Sequence, residues 1–113
     1  MQRKSYLYVR DCIDAILIAV ERSVERVNIF NLGADEYIDV NQSVGWITEI
    51  LKLRPKINYT GGTRGWVGDS PFIFLDTGKI RGLGWRPKVS IRDGISLTLE
   101  YLRENKWLLE ARK

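Results

Sequence analysis

Asp76 and Lys79, three positions apart in "LDTGKIRGLGW", could serve as an acid and base pair, a carboxylate and an ammonium poised for proton transfer. Their surroundings favour a plainer role. An aspartate just ahead of a short helix caps its first amides, and a lysine in the first turn faces solvent. A second pattern is Gly62, Gly65 and Gly68 in "INYTGGTRGWVGD", which has the spacing of a dinucleotide-binding loop. That chemistry needs a tight turn delivering a pyrophosphate to the N-terminus of a following helix. Here Asp69, Ser70, Pro71 and the run "FIFLD" follow, too short and too continuously apolar for that helix, so a loop that is flexible or faces a ligand is expected instead.

The chain has no histidine, which removes the commonest general base and zinc ligand. Its one cysteine, Cys12, lies in an apolar helical pattern and reads as a buried thiol of a reducing, cytoplasmic compartment. Eighteen lysines and arginines stand against 14 acids. The excess could suit an anionic ligand, but the basic residues alternate with acids and form no reader motif. A basic nucleic-acid-binding module is therefore the alternative from another class, and no nucleic-acid partner is expected. No stretch reaches transmembrane length and "MQRKSYLYVR" lacks the core of a signal peptide, so no membrane partner is expected either.

The elements that must position these residues follow from periodicity and breakers. "SYLYV" reads as a strand, and "RDCIDAILIAVERS" as a helix with Ile13, Ile16, Leu17 and Val20 on its buried face and Asp11 at its start. "VNIFNLG" is a second strand stopped by Gly33, and "YIDV" a third leading to Asn41, the expected N-cap of "QSVGWITEILKL", whose inward face is Val44, Ile47 and Leu51. Pro55 ends that helix and "KINYT" reads as a strand. Asp76 caps "TGKIRGL", which Gly82 and Gly84 close. Ser90 with Asp93 resembles a capping box for the last helix, whose buried stripe is Ile91, Ile95, Leu99 and Leu102. Of the four tryptophans, Trp46, Trp85 and Trp107 suit packing, with Trp85 under the Leu-Gly-Trp turn, whereas Trp66 stands among glycines and can face a ligand. The fold class is α/β, a small irregular domain of short strands and three to four helices, with residues 1–113 as one unit.

Taken in order, "RKSYLYVRDCIDAI", "VNIFNLG", "IDV" and "GDSPFIFLDTGKIRGLGWRPKVSIRDGI" resemble the C-terminal, substrate-binding portion of extended short-chain dehydrogenase/reductases, the NAD-dependent nucleotide-sugar epimerases and dehydratases of UDP-glucose 4-epimerase-like type. The succession Gly68-Asp69, Asp76-x-x-Lys79 and Leu83-Gly84-Trp85-x-Pro87-Lys88 carries the resemblance across nearly the whole chain. It implies a nucleotide-sugar partner, a UDP-sugar first, with Asp69 approaching the ribose and an arginine ahead of it on the diphosphate. Arg64 takes that role, five positions before Asp69, although the commoner pattern sets the arginine three before, where Trp66 stands. A second family arginine on the diphosphate aligns with Lys4, and Arg3 is the neighbouring substitute.

The family's cofactor, NAD, sits on a separate Rossmann domain, and its chemistry depends on a Tyr-x-x-x-Lys pair. No tyrosine of this chain has a lysine four positions later. The resemblance thus implies no cofactor site and no catalytic residue in this chain, a lobe truncated or encoded apart from its Rossmann domain. "SYLYV", beginning close to Met1, would leave a bare edge. Either the chain recognises substrate as a lobe, or it docks a separately encoded Rossmann half to complete an enzyme; failing a partner, the same surfaces would drive self-association.

Overall fold

A computed structural model describes residues 2–62, 65–70 and 72–112. The element order is β1 (Arg3–Lys4), α1 (Val9–Arg22), β2 (Ile38–Asp39), α2 (Val40–Ile50), α3 (Gly78–Gly82), α4 (Ile91–Glu104) and α5 (Trp107–Glu110). The short strands pair antiparallel, Arg3 opposite Asp39 and Lys4 opposite Ile38, and the Val40 amide extends the ladder to the Gln2 carbonyl at 2.9 Å. α2 packs along α4 and leans on β2.

The core is small and organised by one aromatic side chain. Trp85 is 1% exposed and packs with Ala15 of α1 and Ile80 of α3, edged by Leu7, Ile18, Phe30 and Leu83. Its indole Nε1 donates to the Asp11 carbonyl at 2.9 Å, so the turn after α3 is fastened to the start of α1. The Asp11 carboxylate completes the joint by accepting from the Lys88 and Val89 amides at 3.1 and 3.0 Å. Asp11 does sit in the first helical turn, as its sequence position suggests, but it is buried there and serves a segment more than 70 residues away.

Several local expectations hold. Ser90 caps α4 by accepting from the Asp93 amide at 3.1 Å, and Glu36 adds a bond from the Ile91 amide at 2.7 Å. α3 closes at Leu83, and Gly84 follows with φ of 98°, a left-handed conformation that glycine adopts without steric cost. The expected terminal helix divides at Asn105, whose side-chain amide donates to the Tyr101 carbonyl and takes the chain out of helical register before α5. That division brings the helices to five among the described residues.

Other expectations are corrected. "SYLYV" is not a strand: pairing occurs earlier, at Arg3–Lys4, and the helix begins at Val9, with Tyr8 as its extended N-cap. Neither "VNIFNLG" nor "KINYT" forms a ladder. A strand exists only with a neighbour to accept its hydrogen bonds, and the described residues supply none to these two runs. Asp39, not Asn41, is the N-cap residue of α2, and it makes no side-chain capping bond. Thr77, not Asp76, is the N-cap residue of α3, although Asp76 Oδ1 does accept from the Gly78 amide at 2.8 Å. The assigned inner face of α1 is its outer one: Leu17 is 60% and Val20 79% exposed, with Ile13 and Ile16 beside them. Burial goes to the opposite side, where small Ala15 lets the helix approach Trp85. The radius of gyration, 16.8 Å, exceeds the roughly 13 Å of a closed domain of this length, as this uncovered apolar surface requires.

Candidate functional site

β1 presents alternate residues to opposite sides, and this alternation builds the site. Gln2 and Lys4 fall on one side and both reach Asp69. Lys4 Nζ donates to Asp69 Oδ1 and to the Ser70 carbonyl, each at 2.7 Å, and Gln2 Nε2 donates to Asp69 Oδ2 at 2.7 Å. The Gly65 amide adds a fourth bond, to Asp69 Oδ2 at 3.1 Å. Arg3 falls on the other side, where its guanidinium lies over the rings of Phe72 and Tyr37 at 4.6 and 5.5 Å.

The loop is held in shape by a turn in which the Asp69 amide donates to the Trp66 carbonyl at 3.0 Å. A Cβ on Gly68 would stand 2.4 Å from the Trp66 ring, so a larger residue there would push the exposed indole off the loop. The Lys4 bond, followed by the Gly65 amide, holds the Asp69 carboxyl below the usual carboxylate range. The result is a carboxylate kept ionised with an ammonium against it at the surface, beside an indole that is 69% exposed. Such a corner can order an anion and a hydroxyl.

Of the four sequence-derived site residues, Lys4 and Asp69 are brought into contact, Trp66 lies on the same loop, and Arg64 falls outside the described residues. Asp76 and Lys79 are not a pair. Lys79 is exposed, as its place in the first turn suggests, and its Nζ also bonds Glu25 at 3.3 Å and the Ile29 carbonyl at 3.0 Å and lies over the Phe30 ring. Gln2 was not among the residues read from the sequence, though its place two before Lys4 on a strand is the signal that sets both on one side. The Gly65 amide is the other missed contributor. No group of acids and cysteine that could hold a metal ion occurs among the described residues.

No protein-family model matches the chain. Individual relatives do. Human dTDP-D-glucose 4,6-dehydratase is 31% identical over 112 residues, which span 93% of this chain and 31% of that protein. The UDP-glucose 4-epimerase of Thermotoga maritima, solved with UDP-glucose, superposes with a TM-score of 0.77 at 35% identity over 92% of this chain. The chain is homologous to the NAD-dependent epimerases and dehydratases. A UDP-glucose 4-epimerase of Thermus thermophilus, solved with NAD, agrees at a TM-score of 0.76 and 28% identity. The chain spans about a third of the length of these epimerases and dehydratases, and over that third it shares their short-chain dehydrogenase/reductase fold.

Proposed function

We propose that residues 1–113 form a single nucleotide-sugar-binding domain, the substrate-recognition portion of an NAD-dependent epimerase or dehydratase, without catalytic activity of its own. The observation that supports this reading is the 2.7 Å contact of Lys4 with Asp69, two residues that the family resemblance assigns to the diphosphate and the ribose and that lie 65 positions apart in the chain. An ammonium has three hydrogens, and Asp69 and Ser70 take two, which leaves one for a phosphate oxygen. The ionised Asp69, which already takes bonds from Lys4, Gln2 and the Gly65 amide, accepts one more from a ribose hydroxyl. Arg64 supplies a second cation to the diphosphate, and Trp66 a flat face for the ligand. The epimerase from Thermotoga binds UDP-glucose in its structure, which supports a UDP-sugar as the ligand. NAD then belongs to a part of the enzyme other than this chain, and the single free Cys12 supports a reducing, cytoplasmic place.

A calorimetric titration of the 113-residue chain tests this. Heat of binding with UDP-glucose and UDP, and none with NAD, supports the reading; binding of NAD alone, or of neither uridine ligand, contradicts it. A second reading is favoured by the bare outer face of α1: the chain completes an enzyme by docking a separate cofactor-binding polypeptide.

A further inference from the structure

Gln2 has no part in the contacts proposed for the ligand, yet it holds the carboxylate that meets the ribose. Its Nε2 donates to Asp69 Oδ2 at 2.7 Å, and the Gly65 amide donates to the same oxygen at 3.1 Å. A carboxylate oxygen offers about two lone-pair sites, so Oδ2 is filled by the protein itself. Among the described residues Oδ1 accepts from Lys4 Nζ and keeps one site. The Gln2 amide occupies the space that a side chain at residue 65 would fill, with Nε2 2.9 Å from the place of a Cβ there. Its backbone is fixed as well, since the Gln2 carbonyl accepts from the Val40 amide at 2.9 Å, next to the β1 ladder.

The number of open sites decides which pentoses fit. A ribose presents two neighbouring hydroxyls, and a carboxylate with both oxygens open takes the pair together, one on each. Asp69 with Oδ2 occupied takes one hydroxyl, and the 3′-hydroxyl, which a 2′-deoxyribose also carries, can be that one. Strong rejection of a ligand lacking a hydroxyl arises when the protein group built to meet it is left unpaired. The Asp69 side chain is only 11% exposed, but Lys4, Gln2 and Gly65 satisfy it whether or not a ligand does. We infer that Gln2 is a positioning residue that sets the sugar tolerance of this corner: by occupying Asp69 Oδ2 it makes the chain accept ribonucleoside and 2′-deoxyribonucleoside diphosphates nearly alike. This rests on the contact of Asp69 with ribose proposed above, and it widens the ligand class to nucleotide sugars of either pentose.

Calorimetric titration of the 113-residue chain with UDP and with 2′-deoxy-UDP, beside Gln2→Ala and Asp69→Asn, tests this. The unaltered chain is expected to hold the two ligands within about fivefold of each other, the span of one exchangeable hydrogen bond. Gln2→Ala opens Oδ2 to the second hydroxyl, so the preference for UDP is expected to rise to about tenfold or more, while the unfolding midpoint stays where it was. A merely structural loss at Gln2 weakens both ligands equally and leaves their ratio unchanged, and that result overturns the inference. A preference for UDP above about fivefold in the unaltered chain overturns it too, and that measurement needs no variant to fold. No heat with either ligand, or binding that Asp69→Asn leaves unaltered, overturns the proposed contact with ribose itself and the inference with it.

Discussion

Lys4 and Asp69, separated by 65 residues, meet at 2.7 Å because β1 and the turned loop 65–70 converge on one side of the two-stranded ladder. The contact joins a cation and a carboxylate that are both partly open to solvent, so it contributes little to stability, and its proposed role is to lay out a binding corner. Lys4→Met is therefore expected to weaken UDP binding by about tenfold and to leave the unfolding midpoint nearly unchanged. Calorimetry beside thermal unfolding checks both halves, and a large loss of stability with unchanged affinity would reverse the assignment.

The pH dependence of the pair has a definite sign. Asp69 titrates below its ordinary value of 3.8 in the folded chain because Lys4 and the Gly65 amide favour the ionised form. Its contribution is thus complete above that ordinary value and is lost as pH falls through the lower folded one. Carboxyl-carbon NMR should place the Asp69 midpoint below 3.8 and Lys4→Met should raise it; a midpoint at or above that value in the unaltered chain contradicts the geometry.

Asp11 is the most exacting structural residue. Replacing it with alanine leaves the Lys88 and Val89 amides without an acceptor beneath Trp85, at an expected cost of about 2–4 kcal/mol. Asp11→Asn keeps an acceptor and should cost less than half of that. Urea unfolding measures the difference, and equal effects of the two substitutions would show that the bonds to Lys88 and Val89 are not what matters.

Gly82 and Gly84 form a matched pair. Gly84→Ala meets both the 98° φ and the Arg22 guanidinium, whose Nη1 would be 2.6 Å from the new Cβ and which bonds the Leu83 carbonyl. A loss of about 1–2 kcal/mol is expected. At Gly82 nothing lies within 4 Å of an added Cβ, and alanine there should stabilise α3 by about 0.5–1 kcal/mol. Opposite signs in thermal unfolding confirm the account.

What the sequence discloses and what it hides divide along the range of the interaction. Ser90 as a cap and Gly84 as a helix stop are settled within one turn of chain, and the burial of Trp85 is legible from the Leu-Gly-Trp turn. The strands of "VNIFNLG" and "KINYT" are misread because their residues suit strands while a ladder depends on a hydrogen-bonding neighbour, which the described residues do not supply. The stripe on α1 is a true amphipathic pattern, yet periodicity does not reveal which side meets the rest of the chain; small Ala15 and Ala19 decide it. No spacing rule brings Asp11 to Val89 or Lys4 to Asp69. The second pair is legible only through likeness to a family, and Gln2 only once β1 is in place.

Amide chemical shifts of the isotope-labelled chain, followed during titration with UDP-glucose, test the central claim most directly. Binding at this corner predicts that the amides of residues 2–4 and 65–70 move together and saturably, with NAD moving none of them. Saturable shifts confined to other parts of the chain, or none with UDP-glucose at any concentration, would contradict it.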